Sequence, residues 1–137
     1  MKKIEIKTNE YKVITLQDDL VLYTINLYDE IAYSVFSFQL NKVGLGRNLS
    51  DDQLAQFFHE MNPDDEKISG LIKVRIVGGD ESEESGEALN NLILQLSHID
   101  DNNDIIDIRA CDTRHKLHPE SFEVDCYHGG IRPISDL

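Results

Sequence analysis

The run from Lys67 to Cys111 constrains the fold more than any other stretch of the chain. It contains an alternating apolar strand, Leu71-Ile72-Lys73-Val74-Arg75-Ile76-Val77, that ends at Gly78-Gly79. An acidic stretch follows, then an amphipathic helix, then a second strand from Ile105 to Cys111. Alternation with a period of about two marks a strand, and an apolar stripe at a period of about 3.6 marks a helix packed on one side. A strand, a glycine turn, a helix and a strand in that order specify a layered α/β unit.

Further strands flank this unit. The N-terminal Met1 to Lys7 alternates apolar and charged residues and reads as a first strand. Tyr11 to Leu16 and Leu20 to Leu27 read as strands, with Gln17-Asp18-Asp19 placed to turn between them as a hairpin. Ala32 to Leu40 reads as another, with Phe36, Phe38 and Leu40 on one face, and Gly44-Leu45-Gly46 reads as a loop that breaks it. Asp101-Asn102-Asn103 is a turn, and in the strand after it Ile106, Ile108 and Ala110 share one face. Phe122, Val124 and Cys126 share a face of the next strand, and His128-Gly129-Gly130 turns the chain into a last short strand at Ile131 to Ile134.

Two helices carry start signals. Ser50 and Gln53 have the spacing of a capping box, and Asp51 and Asp52 suit the positive end of a helix dipole. Leu54, Phe57, Phe58 and Met61 follow at helical spacing, and Asn62-Pro63 stops the run. The second helix is expected from about Ser85 to Ile99, with Ala88, Leu89, Leu92, Ile93 and Leu96 as its apolar stripe. The expected fold is α/β of the α+β type. One mixed or antiparallel β-sheet is packed by two helices in the order β-β-β-α-β-α-β-β-β, in one domain over residues 1–137.

Charge narrows the function. The chain carries 26 acidic and 13 basic residues, a net charge of −13. Such a balance argues against sequence-independent nucleic-acid binding, which needs cations on phosphates. It suits a basic protein partner, because opposite charge steers encounter. No apolar run approaches the ~20 residues of a membrane span, and no secretory leader is legible, so a cytoplasmic location is expected. Edge strands of the terminal hairpins offer a route to a homodimer.

The densest cluster of reactive side chains is Cys111-Asp112-Thr113-Arg114-His115-Lys116-Leu117-His118 with Cys126-Tyr127-His128. Under a catalytic reading Cys111 is a nucleophile assisted by His115, His118 or His128, since a thiolate needs a nearby histidine to lower its pKa. Cys126 shares the phase of Phe122 and Val124 and reads as core. A zinc reading takes His115, His118 and His128, but paired ligand spacings are absent, so no metal site is assigned. Asp100, Asn102 and Asp104 imitate the start of a calcium loop without its glycine or its final glutamate. No motif asks for a cofactor.

The order of the elements resembles a known family. Thr24-Ile25-Asn26-Leu27-Tyr28-Asp29, the strand from Ala32 to Leu40, the first helix, Lys73 to Gly79, the second helix and the terminal hairpin follow one another as in the chemoreceptor glutamine deamidases (CheD). The resemblance covers about residues 11 to 134, and Gly78-Gly79 is its best local match. These deamidases use a Cys–His–Thr site. The stretch matching their nucleophile turn, Leu16-Gln17-Asp18-Asp19-Leu20, has no cysteine, and no histidine lies near Ser34 to Ser37 where theirs falls. The resemblance thus implies a relative without that catalytic site, or an analogue of its topology.

The reading that these features favour is a non-enzymatic acidic module of the inhibitor, immunity-protein or effector-chaperone kind. Asp80, Glu81, Glu83, Glu84 and Glu87 would be its docking residues for a basic protein. The alternatives are a deamidase or thiol hydrolase using Cys111 with His115 and His128, and a zinc-binding module.

Overall fold

The computed structural model describes residues 1–110 and 121–134. Among these the chain runs β1 (Lys2–Glu5), β2 (Glu10–Thr15), β3 (Leu20–Thr24), β4 (Ile31–Ser37), β5 (Lys42–Arg47), α1 (Asp51–Met61), β6 (Ile72–Gly78), α2 (Glu83–Asp100), β7 (Ile106–Ala110), β8 (Phe122–Asp125) and β9 (Ile131–Pro133). The α+β class and the two helices agree with the sequence. The single sheet does not, because the strands divide into two mixed sheets ordered β1-β3-β8-β9 and β2-β5-β4-β6-β7.

Burial explains the division. Strand β4 buries Tyr33 and Val35 on one face and Ala32 and Ser34 on the other, so its sheet lies in the middle of the molecule. On one side Leu54, Phe57, Phe58 and Met61 of α1 and Leu92 and Leu96 of α2 cover Ile31, Tyr33, Val35, Ile72, Val74 and Ile76. On the other side Leu20, Leu22, Phe122, Val124 and Cys126 of the smaller sheet cover Ala32, Val43, Leu45 and Val77. The result is three layers, with helices, a five-stranded sheet and a four-stranded sheet. Each fully buried large apolar side chain in these interfaces contributes roughly 1.5–3 kcal/mol.

The expected hairpin between β2 and β3 is absent. β2 pairs antiparallel with β5, whereas β3 pairs parallel with β1 and antiparallel with β8. Gln17 to Asp19 therefore carries the chain from one sheet to the other. The hairpin sits two strands later, where β4 and β5 pair around a turn at residues 38–41, with Asn41 in the left-handed region at φ 59°. Phe38 lies in that turn and is exposed, rather than sharing a strand face with Phe36 and Leu40.

Gly44-Leu45-Gly46 is not a loop. It is the middle of β5, between β2 and β4. The two glycines face α1, and the ring of Phe57 lies directly on them. A Cβ on Gly44 would come within 2.6 Å of Phe57 Cε1, and one on Gly46 within 2.8 Å of Cε2. Phe57 also stacks on Tyr11 with ring centroids 5.0 Å apart.

Both helix starts follow from side-chain capping. Ser50 Oγ accepts from Gln53 N (3.2 Å) and Gln53 Oε1 accepts from Ser50 N (3.0 Å), the reciprocal box expected from the sequence. α2 starts two residues before the expected Ser85, because Ser82 is the cap and accepts from Ser85 N at 3.2 Å. Ile93 leaves the predicted stripe and is exposed, because a step of about 100° per residue sets it off the Leu89, Leu92, Leu96 line.

Arg47, at the end of β5, joins the two sheets. Its Nη1 donates to Thr24 Oγ1 (3.0 Å) and to the Ile25 carbonyl (2.7 Å). Its Nη2 donates to the Asn26 carbonyl (3.1 Å) and pairs with Glu30 Oε2 at 3.2 Å. The guanidinium is thus surrounded by acceptors from β3 and the loop after it, the condition under which a buried charge is tolerated.

Candidate functional site

The acidic residues singled out in the sequence split into two kinds. Asp80 is a structural residue, because its Oδ1 accepts from Ser82 N (2.9 Å) and lies 3.0 Å from Ser85 Oγ. Ser85, buried, also lies 2.5 Å from the Asp29 carbonyl and accepts from Asp80 N, so the start of α2 is tied to the β3–β4 loop. Glu81, Glu83, Glu84 and Glu87 are exposed. Helical geometry places Glu83, Glu87, Leu94 and His98 in one outward stripe, with Glu84 and Asn91 beside it. Leu94 and Ile93 are both exposed on this helix. Asn91 Nδ2 contacts Asp51 Oδ1 at 3.5 Å, which brings the acidic start of α1, Asp51 and Asp52, against the same surface. Among the described residues no cation pairs with Glu83, Glu84 or Glu87.

Cys111, His115 and His118 lie outside the described residues. His128 stands on the turn between β8 and β9, with its Nδ1 2.9 Å from Asp125 Oδ2. That hydrogen bond, reinforced by the Tyr127 and His128 amides, holds the Asp125 carboxyl below its usual range. Cys126 is fully buried, and burial pushes its thiol up to about 11, which disfavours the thiolate at neutral pH. Among the described residues no group of three or more His, Cys, Asp or Glu side chains converges as a metal site.

The structure also forms a cleft that periodicity did not point to. It lies where the smaller sheet stops short of covering β6, and its volume is about 410 Å³. Ser34, Phe36, Lys73 and Arg75 form one part of its lining, and the turn His128-Gly129-Gly130 with Ile131 forms the other. The turn is held against the sheet by close approach, since a Cβ on Gly129 would lie 2.1 Å from Phe36 Cδ2. Ser34 is 1% exposed, and its Oγ has no hydrogen-bond partner among the described residues. The sequence signal was a serine and two cations on the outward phase of strands, which by itself reads as ordinary surface.

These features define a three-layer α+β protein with an acidic helical face and a cationic cleft. Among the described residues no helix is long and apolar enough to cross a membrane. No family model matches the chain. The uncharacterized protein RC0132 of Rickettsia conorii is 47% identical over 64 residues, a match that covers 47% of this chain and 85% of that protein. The chain belongs to the same family as this bacterial protein.

Proposed function

We propose that the protein acts by docking the outer face of α2, together with the acidic start of α1, on a basic protein. The observation that carries this reading is that Leu94 is exposed on the same outward stripe of α2 as Glu83 and Glu87, which have no cation partner among the described residues. Exposed apolar side chains set among charges of one sign supply what a docking face needs. The apolar groups contribute affinity, and the charges speed encounter and select the partner's sign. The net charge of −13 acts in the same direction at longer range.

The test is affinity capture from lysate of the source cells with the wild-type chain and with a Glu83→Lys, Glu84→Lys, Glu87→Lys variant of equal thermal stability. A basic protein retained by the wild type, lost with the variant and released by moderate salt is the expected result. A partner held equally by both proteins sinks the proposal, and so does the absence of any partner at low salt.

One observation favours a second reading, a deamidase or thiol hydrolase built on Cys111. Asp125 contacts His128 through Nδ1, the kind of orienting contact that nucleophilic enzymes make to a catalytic histidine. Iodoacetamide labelling across pH 5 to 9, read by intact mass, decides it. Rapid single labelling below neutral pH that disappears in Cys111→Ala supports the enzyme. Two inert thiols remove it.

A further inference from the structure

Strand pairing brings a row of polar side chains together on the sheet face that the helices do not cover. Ser34 of β4 is in register with Arg75 of β6, and Arg75 with Arg109 of β7. In the next row Phe36 is in register with Lys73, and Lys73 with Asp107. The smaller sheet buries this face over β4 and β5 but leaves Lys73 exposed and Arg75 half-buried. Arg75 Nη1 donates to the Val74 carbonyl at 3.2 Å, and among the described residues no carboxylate forms an ion pair with Arg75 or Lys73.

Two features here run against the expectation for a bare surface. A chain with 26 acids and 13 bases has carboxylates to spare, yet among the described residues neither cation forms an ion pair with one, even though Asp107 is in register with Lys73. Beside them Ser34 Oγ is buried with no partner among the described residues, although a buried hydroxyl without a hydrogen bond costs stability. Both features are accounted for when an acceptor occupies the cleft. The volume of about 410 Å³ fits a small molecule, since ligand pockets run from roughly 300 to 1,000 Å³.

We propose that this cleft binds a small phosphate monoester. Arg75 and Lys73 supply charge-assisted donors from adjacent positions on one strand face, and Ser34 supplies a hydroxyl from the neighbouring strand. His128 stands across from them on the turn. Donors from several directions suit a tetrahedral group with three terminal oxygens better than a planar carboxylate with two. Phe36 and Ile131 offer apolar surface to the organic part, and Gly130 has open space where a side chain would otherwise intrude.

The test is calorimetric titration of the full chain with phenyl phosphate, inorganic phosphate and benzoate. Phenyl phosphate is expected to bind at one site and more tightly than either of the others. Lys73→Gln and Arg75→Gln are each expected to weaken it about tenfold or more, the usual effect of losing a hydrogen bond to a charged group. Ser34→Ala is expected to weaken it while leaving the unliganded protein at least as stable as wild type. Lys73 is exposed, so its variant keeps the test sound if Arg75→Gln perturbs the fold. Absence of saturable phenyl phosphate binding at millimolar concentration overturns the proposal. Equal affinity for benzoate overturns the phosphate assignment. Binding unchanged in all three variants overturns the location.

Discussion

Arg47 and Arg75 stand on the same face of the same sheet and meet opposite surroundings. Arg47 is 8% exposed and is ringed by Thr24, Glu30 and the carbonyls of Ile25 and Asn26. Arg75 is half-buried, and its only described hydrogen bond is to the carbonyl of its own neighbour Val74. The first closes the structure and the second is left open to something outside it. The difference lies in what covers each residue. The loop after β3 folds its carbonyls over Arg47, whereas the smaller sheet ends before it reaches Arg75. A charge whose donors are satisfied internally reads as structure, and one beside an orphaned hydroxyl reads as a site.

The sharpest way to break this contrast is to remove each guanidinium. Arg47→Ala is expected to lower stability by about 3–5 kcal/mol, because it leaves the Glu30 carboxylate and several carbonyls unpaired in a buried place. Arg75→Gln is expected to cost about 0.5 kcal/mol or less, since nothing depends on it for satisfaction. Urea denaturation of both variants measures this, and equal losses would end the distinction. Next in size is Gly44→Ala, which pushes a methyl toward Phe57 Cε1 and the Lys12 carbonyl and should cost about 1–3 kcal/mol by the same measurement. An unchanged denaturation midpoint would show that α1 can lift without loss.

Ser34→Ala tests the other half of the contrast. It is expected to leave stability unchanged or raise it by up to about 1 kcal/mol, because it removes an unsatisfied buried oxygen. A clear loss would mean that the hydroxyl has a partner in solution and that the cleft is closed.

The smallest effect concerns Asp125 and His128 at the rim. The folded-state pKa of Asp125 is depressed below 3.8, first by the His128 hydrogen bond. A depressed carboxyl contributes stability that is fully present above the unfolded value and is lost as pH falls through the folded one. His128→Ala should therefore be slightly less stable than wild type at neutral pH, by about 0.5 kcal/mol or less for so exposed a pair. The gap should close under acid, below about pH 3.8. Acid titration of both proteins, followed by circular dichroism, checks this.

The helices were legible in the residues because their signals are local. The Ser50–Gln53 box, the acids after it and the Leu54, Phe57, Phe58, Met61 spacing all act within a few turns of chain. The proposed docking face was legible in part. The acidic run is plain in the sequence, but the engagement of Asp80 in the turn and the place of Leu94 on the same outward stripe as Glu87 depend on where α2 starts and which face it buries. The cleft was not legible. Ser34, Arg75 and Lys73 come from strands separated by a helix and become neighbours only through register.

The amino-acid pattern determined that this chain forms two capped helices and short alternating strands, because periodicity and capping act between residues a few positions apart. The tertiary structure decided that the strands form two sheets rather than one, that Gly44 and Gly46 support a ring rather than a loop, and that one arginine is enclosed while another is not. Those outcomes depend on which face of a strand is covered and by what. Partners distant in the chain set that, through packing and hydrogen bonds that no local pattern encodes.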